Sequence, residues 1–340
     1  MKVLITGGTG YIGSHTIIDF IENDYNDIVS IDAYLNSDEN TINRIREITG
    51  KTIENHNINL TDTVAVNTFF DNHTDIDGII HFAAFKAVGE SQEFPLKYYI
   101  NNIQGLTNLL ENCAKHNINN FIFSSSCTVY GQPDTLPVNE DCPIKVAESV
   151  YGNTKQIGEE IIRDFSNAHP KFKAILLRYF NPIGAHISGK NGELPEGIPN
   201  NLVPFITQSA IGKRGPLSVF GNDYKTRDGS CIRDYIHVSD IAHAHTLGLK
   251  RLIDNKSKEQ IEVFNLGTGN GVTVLEAIKA FEEATGVNLN YEIKGRRPGD
   301  VEAVYADATK AAKELNWKPK YSIHDSMLSA WKWEKKINAN

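Results

Sequence analysis

The sequence predicts an α/β fold, a doubly wound parallel sheet followed by a smaller C-terminal α/β domain, and three observations carry that prediction. Apolar runs at 3–6, 28–32, 78–82, 121–125 and 174–179 read as strands, and they alternate with helical stretches, the longest over 101–115 and 151–165. A glycine loop, Thr6-Gly7-Gly8-Thr9-Gly10-Tyr11-Ile12-Gly13, follows the first run and precedes Ile17, Ile18 and Ile21 at helical spacing. After Tyr179 the texture changes to glycine, proline and asparagine, with Pro182, Pro195 and Pro199 interrupting regular structure, which places the domain change there.

Each element carries chemistry in turn. Gly7, Gly10 and Gly13 permit a tight turn and a close backbone approach to a pyrophosphate, whose charge then sits at a positive helix N-terminus. The second strand ends in Asp32, nineteen residues beyond Gly13, where a carboxylate accepts from the hydroxyls of an adenosine ribose and repels a 2′-phosphate. No lysine or arginine lies within three residues of it, so the reading is NAD and not NADP; an aspartate that merely caps a turn is the alternative. The strand Phe121-Ile122-Phe123 ends in Ser124-Ser125-Ser126, and strand tips of this kind face the ligand in open parallel sheets. Serines making turn hydrogen bonds would look the same.

Tyr151 and Lys155 stand four apart, on one face of the predicted helix. A phenol titrates near 10, so a base at neutral pH needs a shift of roughly 3 units, about 4 kcal/mol. A fixed ammonium nearby supplies much of it. Alone, the pair also fits a solvated helix face. Further on, 263–266 reads as a strand, 273–284 as a helix with Thr273 and Glu276 as a capping box, and 307–315 as a short helix.

Composition sets bounds. The chain has 34 basic and 42 acidic residues, a formal net charge of −8, which disfavours a general nucleic-acid binder, so any anionic ligand must be met locally. Cys113, Cys127, Cys142 and Cys231 form no Cys-x-x-Cys pair and no metal spacing, which reads as free thiols in a reducing compartment and no metal. A strand begins at once with no leader, and no apolar run approaches a membrane span, so the expectation is a cytoplasmic protein with no membrane partner.

The glycine loop, the strand-end serine and the Tyr-x-x-x-Lys helix, in this order, resemble the extended short-chain dehydrogenase/reductase family. Further blocks carry the resemblance along nearly the whole chain: His81-Phe82-Ala83-Ala84-Phe85-Lys86, Ser124-Ser125-Ser126-Cys127-Thr128-Val129-Tyr130-Gly131, Arg178-Tyr179-Phe180-Asn181-Pro182, Arg233-Asp234-Tyr235-Ile236-His237-Val238 and Arg296-Arg297-Pro298-Gly299-Asp300. It implies a Rossmann-type NAD-binding domain over 1–180, rejoined by chain near 233–247, a domain for a UDP-hexose mainly over 181–340, and a homodimer built on the two long helices.

The chemistry implied is interconversion of UDP-galactose and UDP-glucose by transient oxidation at C4 and re-reduction on the opposite face. Tyr151 would be the base, Lys155 would lower its pKa and bind the nicotinamide ribose, and Ser126 would hold the sugar O4. Asn59, Leu60, Phe82, Lys86, Asn101 and Phe180, with Tyr11 and Ile12 of the loop, join the cofactor set by resemblance. Asn181, Asn201, Leu202, Phe220, Arg233, Arg297 and Asp300 join the substrate set, the arginines clamping the diphosphate. Ion pairs of those arginines with Asp234 or Asp300 are the alternative.

Three departures bear on specificity. Many relatives carry aspartate at Asn59, whose amide oxygen still accepts from an adenine amino group. Cys127 replaces a common alanine. Val304 occupies a position where small side chains accompany acceptance of N-acetylated sugars, which extends the expected substrates to UDP-GlcNAc and UDP-GalNAc. Cys127 and Thr128 stand where sugar-nucleotide dehydratases carry carboxylates, which disfavours dehydration. A uronate or pentose 4-epimerase and a non-catalytic NAD-binding sensor remain as alternatives.

Overall fold

The computed structural model describes residues 1–297 and 300–339. Its chain forms two compact units. The first takes Met1–Gly131, Pro143–Tyr179 and Ala242–Phe264, the last segment overlapping 233–247 over 242–247. The second takes Gln132–Cys142, Phe180–Ile241 and the chain from Asn265 onward.

The first unit is built on strands β1 (Lys2–Thr6), β2 (Ile28–Ile31), β3 (Glu54–His56), β4 (Ile76–His81), β5 (Asn120–Ser126) and β6 (Lys173–Tyr179). With the strand Ile261–Leu266 they form a seven-stranded sheet in the order Ile261–Leu266, β6, β5, β4, β1, β2, β3. β1 pairs in parallel with β2 on one side and β4 on the other, so the strand order reverses at β1. In an open parallel sheet that reversal opens a crevice beyond the carboxyl ends of the strands. Strands covered on both faces are apolar throughout, and Leu4, Val29, Ile79, Phe121 and Leu176 are all buried in one cluster.

The helices of this unit include α1 (Tyr11–Glu22), α2 (Thr41–Thr49), α3 (Thr63–Asn72), α4 (Val88–Glu93), α5 (Pro95–Tyr99), α6 (Gly105–His116) and α7 (Val150–Ala168), and most of the helix Val238–Ile253 joins them. The helix expected over 101–115 is thus composite, because a π-helical turn at Ile100–Gln104 joins α5 to α6. α7 starts where Ser149 accepts from the Gly152 N–H at 3.0 Å, an N-cap that fixes the register of Tyr151 and Lys155.

The second unit contains a three-stranded sheet, ordered Val272–Thr273, Ile232–Arg233, Ala303–Val304, and a pair joining Leu217–Phe220 to Tyr291–Lys294. The capping box forms as expected, with Thr273 and Glu276 bonding each other's backbone N–H at the head of Val274–Thr285. A helix at Ile323–Ile337 was not anticipated; Ser322 and Asp325 cap it the same way, and Met327 and Trp331 pack with Phe281 in the core. Among the described residues no helix is long and apolar enough to cross a membrane.

His81 ends β4 fully enclosed, with Nδ1 2.8 Å from Thr6 Oγ1 and its ring stacked on Phe123. Burial, and then the Lys155 charge, lower its pKa to about 3. Between that value and the ordinary histidine range the unfolded chain binds the extra proton, so stability present above about pH 6.5 is lost as pH falls towards 3. The loss by pH 4.5 is about 3 kcal/mol. His81→Gln should therefore flatten the fall of melting temperature between pH 7 and 4.5, and parallel curves for variant and parent would disprove the assignment.

Candidate active site

The glycine loop packs its backbone closely on itself and on the chain at Phe82 and Ala83. Gly7 has φ +72, and a Cβ there would lie 2.7 Å from the Ala83 nitrogen; one on Gly13 would lie 2.2 Å from the Gly7 oxygen. Side chains at these positions would therefore separate α1 from the sheet. α1 begins at Gly10 with no side-chain cap and no acidic residue in its first turn, which leaves its N-terminal field to an anion. Lys86 places Nζ 5.6 Å from the Tyr11 ring centroid beside that first turn. Asp32, at the tip of β2, accepts from Thr9 N, Tyr34 N and Ser37 Oγ, each at 3.0 Å. These bonds fix the orientation of the carboxylate. An uncapped helix N-terminus beside a fixed carboxylate is the arrangement of charge that a dinucleotide would need.

The other cofactor candidates divide. Asn59 Oδ1 already accepts from Thr61 N at 3.0 Å and Thr61 Oγ1 at 2.9 Å, so the acceptor role expected for that oxygen is filled from within the chain. Leu60 is buried, with its carbonyl accepting from Asn108 Nδ2. Asn101 lies in the π-helical turn and donates to Asn102 Oδ1 at 2.9 Å. Phe82 is half-buried against His245, with ring centroids 4.5 Å apart. Phe180 is buried at the start of the second unit.

Ser126, Tyr151 and Lys155 converge in the first unit. Ser126 ends β5, and its hydroxyl hydrogen-bonds the Tyr151 phenol while accepting from Thr128 N at 3.3 Å. Lys155 reaches from one turn along α7 to donate to the Ser124 carbonyl at 2.7 Å, with Nζ 5.9 Å from the Tyr151 ring centroid. Both side chains are buried. Burial pushes the Tyr151 phenol well above its ordinary range, the neighbouring Tyr179 pushes it further, and the Ser126 hydrogen bond opposes them. Burial dominates the phenol, and the Lys155 ammonium donates to a backbone carbonyl. Burial lowers the Lys155 amine to about 8 against the opposing pull of Glu159.

A buried polar network lies beneath the triad. Glu159, one turn after Lys155, accepts from Arg178 Nε at 2.8 Å and from Ser125 Oγ at 2.6 Å. Arg178 also donates to Tyr130 Oη, and Ser124 Oγ donates to Tyr179 Oη at 3.0 Å. Tyr151 N donates to Ser91 Oγ at 3.1 Å. Sequence reasoning missed these supporting residues; only the Ser149 cap had a readable signal, a serine directly ahead of a helical pattern.

In the second unit Arg233, Arg297 and Asp300 come together. Arg233 Nη1 donates to the Ile232 and Val301 carbonyls at 2.9 and 2.7 Å, and Nη2 lies 3.3 Å from Asp300 Oδ1. Arg297 bonds both Asp300 oxygens, at 3.1 and 2.8 Å. The ion-pair alternative is therefore present with Asp300, whereas Asp234 instead accepts from Thr268 N, Gly269 N and Ala306 N. Two guanidiniums sharing one carboxylate keep an unbalanced positive charge. The Arg297 guanidinium lies 5.6 Å from the ring centroid of Phe220, which is exposed. Val304 is buried and pairs in register with Arg233. Asn181 pairs with Tyr235, Asn201 donates to Glu193 Oε1 at 2.8 Å, and Leu202 opens the helix Leu202–Ala210. Pro298 and Gly299 of the arginine motif lie outside the described residues.

A family model described as GDP-mannose 4,6 dehydratase matches residues 4–329. A UDP-glucose 4-epimerase of Cyamopsis tetragonoloba is 50% identical over 337 residues, 98% of this chain and 95% of that protein. The chain belongs to the UDP-glucose 4-epimerase family. A crystal structure of the Bifidobacterium longum UDP-glucose 4-epimerase in complex with NAD+ and UDP matches with TM-score 0.93 and 45% identity, over 100% of this chain and 99% of that one. A Campylobacter jejuni UDP-Glc/GlcNAc 4-epimerase structure matches with TM-score 0.84 and 38% identity, over 98% and 99%.

For an epimerase of this family the absence of an acid beside Ser126 is consistent. Cys127 and Thr128 occupy the next turn, and the nearest buried carboxylate in the network, Glu159, is committed to Arg178 and Ser125.

Proposed function

We infer that this chain interconverts UDP-galactose and UDP-glucose, and the observation that carries the reading is the convergence of Ser126, Tyr151 and Lys155 at the strand ends beside the glycine cradle. The chain is an isomerase with NAD as its cofactor. When bound, NAD supplies the acceptor, and later the donor, of the hydride at sugar C4. Gly7, Gly10, Gly13 and the N–H groups opening α1 would hold the pyrophosphate, Asp32 the adenosine ribose, and Lys86 would add positive charge. Tyr151 Oη would take the proton from the 4-hydroxyl and return it, with Ser126 Oγ orienting O4. Lys155 would hold positive charge under the phenol and hydrogen-bond the nicotinamide ribose.

Arg233 and Arg297 would bind the diphosphate, since their shared Asp300 leaves net positive charge, and Phe220 offers an exposed ring for the uracil. Epimerisation requires the nucleotide to be gripped while the sugar turns over, and paired guanidiniums suit that grip. The test is proton NMR of purified protein mixed with UDP-galactose and no added NAD. Growth of UDP-glucose signals to an equilibrium mixture is expected. No change even after NAD is supplied would refute the reading and favour a uronate or pentose substrate, or a sensor.

N-acetylated sugars extend the substrate range. A buried valine at 304 leaves more space than an aromatic side chain, and the Campylobacter jejuni relative is described as acting on both kinds of sugar. Val304→Tyr is expected to cut UDP-GalNAc turnover at least a hundredfold while UDP-galactose turnover stays within tenfold. A parent protein active on UDP-galactose but inert towards UDP-GalNAc would refute this.

The chain would act in the cytoplasm as a homodimer. Leu96 and Ile100, 72% and 57% exposed on α5 and the adjoining π-helical turn, mark the helical surface expected to be covered. Light scattering should give twice 37.8 kDa, and a mass of one chain would disprove it.

A further inference from the structure

Three side chains able to ligate a cation meet at the β3 edge of the first unit, and none has a role in the chemistry above. Glu54 and His56 are two apart on β3, so both leave the same face of the strand. His73 is the C-cap of α3. One ligand atom from each lies within 4.8 Å of the other two. His56 Nε2 is enclosed and lies 3.1 Å from Glu54 Oε1. The His56 and His73 rings meet edge to face with centroids 5.0 Å apart. His73 Nδ1 lies 2.8 Å from the Phe69 carbonyl oxygen, which can only accept; Nδ1 therefore carries the proton and Nε2 keeps its lone pair. Phe69 also stacks on His73 and meets His56 edge-on, which holds both imidazoles.

We propose that Glu54, His56 and His73 bind a divalent transition-metal ion of the zinc type. Two imidazoles and a carboxylate, with water at a fourth position, suit Zn²⁺, whereas Mg²⁺ prefers an all-oxygen octahedron. Metal–ligand bonds of about 2.0–2.2 Å require the three atoms to close inward. Glu54 supplies that movement, because its carboxylate is exposed. The site touches the cofactor cradle through the backbone: Asp32 N donates to the His56 carbonyl at 3.1 Å, so metal on His56 would stiffen the strand end that presents Asp32.

The test is calorimetric titration of ZnCl₂ into the chelator-treated full-length protein, with MgCl₂ as control. One equivalent of Zn²⁺ should bind, Mg²⁺ should not compete, and His73→Ala and Glu54→Gln should each weaken the Zn²⁺ affinity at least tenfold. Glu54→Gln alters only an exposed carboxylate, so it keeps the test decisive should His73→Ala fail to fold. No uptake by the parent, or unchanged affinity in Glu54→Gln, would overturn the proposal.

Discussion

Tyr151→Phe is expected to lower turnover of UDP-galactose by at least a thousandfold while NAD and UDP binding persist. The substitution removes one hydroxyl and keeps the ring, so packing against the neighbours of a buried side chain is preserved. Proton transfer by a positioned side chain is worth about 10²–10⁴ in rate, some 3–5 kcal/mol of barrier. Burial and Tyr179 push the phenol pKa up, and the Ser126 hydrogen bond opposes them. Positive charge delivered beside it therefore decides whether it ionises. Lys155, with its own pKa lowered to about 8, still carries that charge at neutral pH and loses it as pH rises through 8. Turnover followed by NMR, with bound NAD quantified after denaturation, checks the outcome. A variant retaining a tenth of parent activity would remove Tyr151 from the chemistry, and a chain whose biological activity survived the change would be a sensor.

Glu159→Gln should destabilise the fold by about 3–5 kcal/mol, because it leaves the Arg178 guanidinium buried without its counter-charge. In a chain with units of this size the melting temperature should fall by roughly 10 °C. Removing Arg178 as well, in Glu159→Gln/Arg178→Met, should recover much of the loss, since no unpaired charge is left. Glu159 also raises the Lys155 pKa, opposing burial. Its loss should move the alkaline limb of the pH–rate profile below about 8, an effect that lost packing alone would not produce. Equal melting temperatures for parent and Glu159→Gln, with superimposable pH profiles, would show that the network does not position Lys155.

Much of the cradle was legible because its signals are local. Gly7, Gly10 and Gly13 stand within seven residues, Asp32 ends an apolar run, and the Thr273 cap and its Glu276 partner are three apart. β3 was missed because an edge strand of Glu54, Asn55 and His56 has no apolar run to announce it. The helix Ile323–Ile337 was missed although Ser322 and Asp325 carry a capping pattern; its buried residues Met327 and Trp331 find their partner, Phe281, on a separate helix.

The alternation of the central strands with helices, the glycine loop and the three residues of the proposed chemistry could be read from the sequence alone, since each depends on periodicity, capping or backbone geometry over a few positions. Tertiary structure decided the charge states and partners. Lys155 is turned to the carbonyl of Ser124, thirty-one residues away, and Arg233 meets Asp300 across sixty-seven. Such pairings, and the burial that raises the Tyr151 phenol while lowering the Lys155 amine, arise only when distant segments exclude water together. A one-dimensional pattern can place an acid or a base on a helix face, but the dielectric around it belongs to the folded chain.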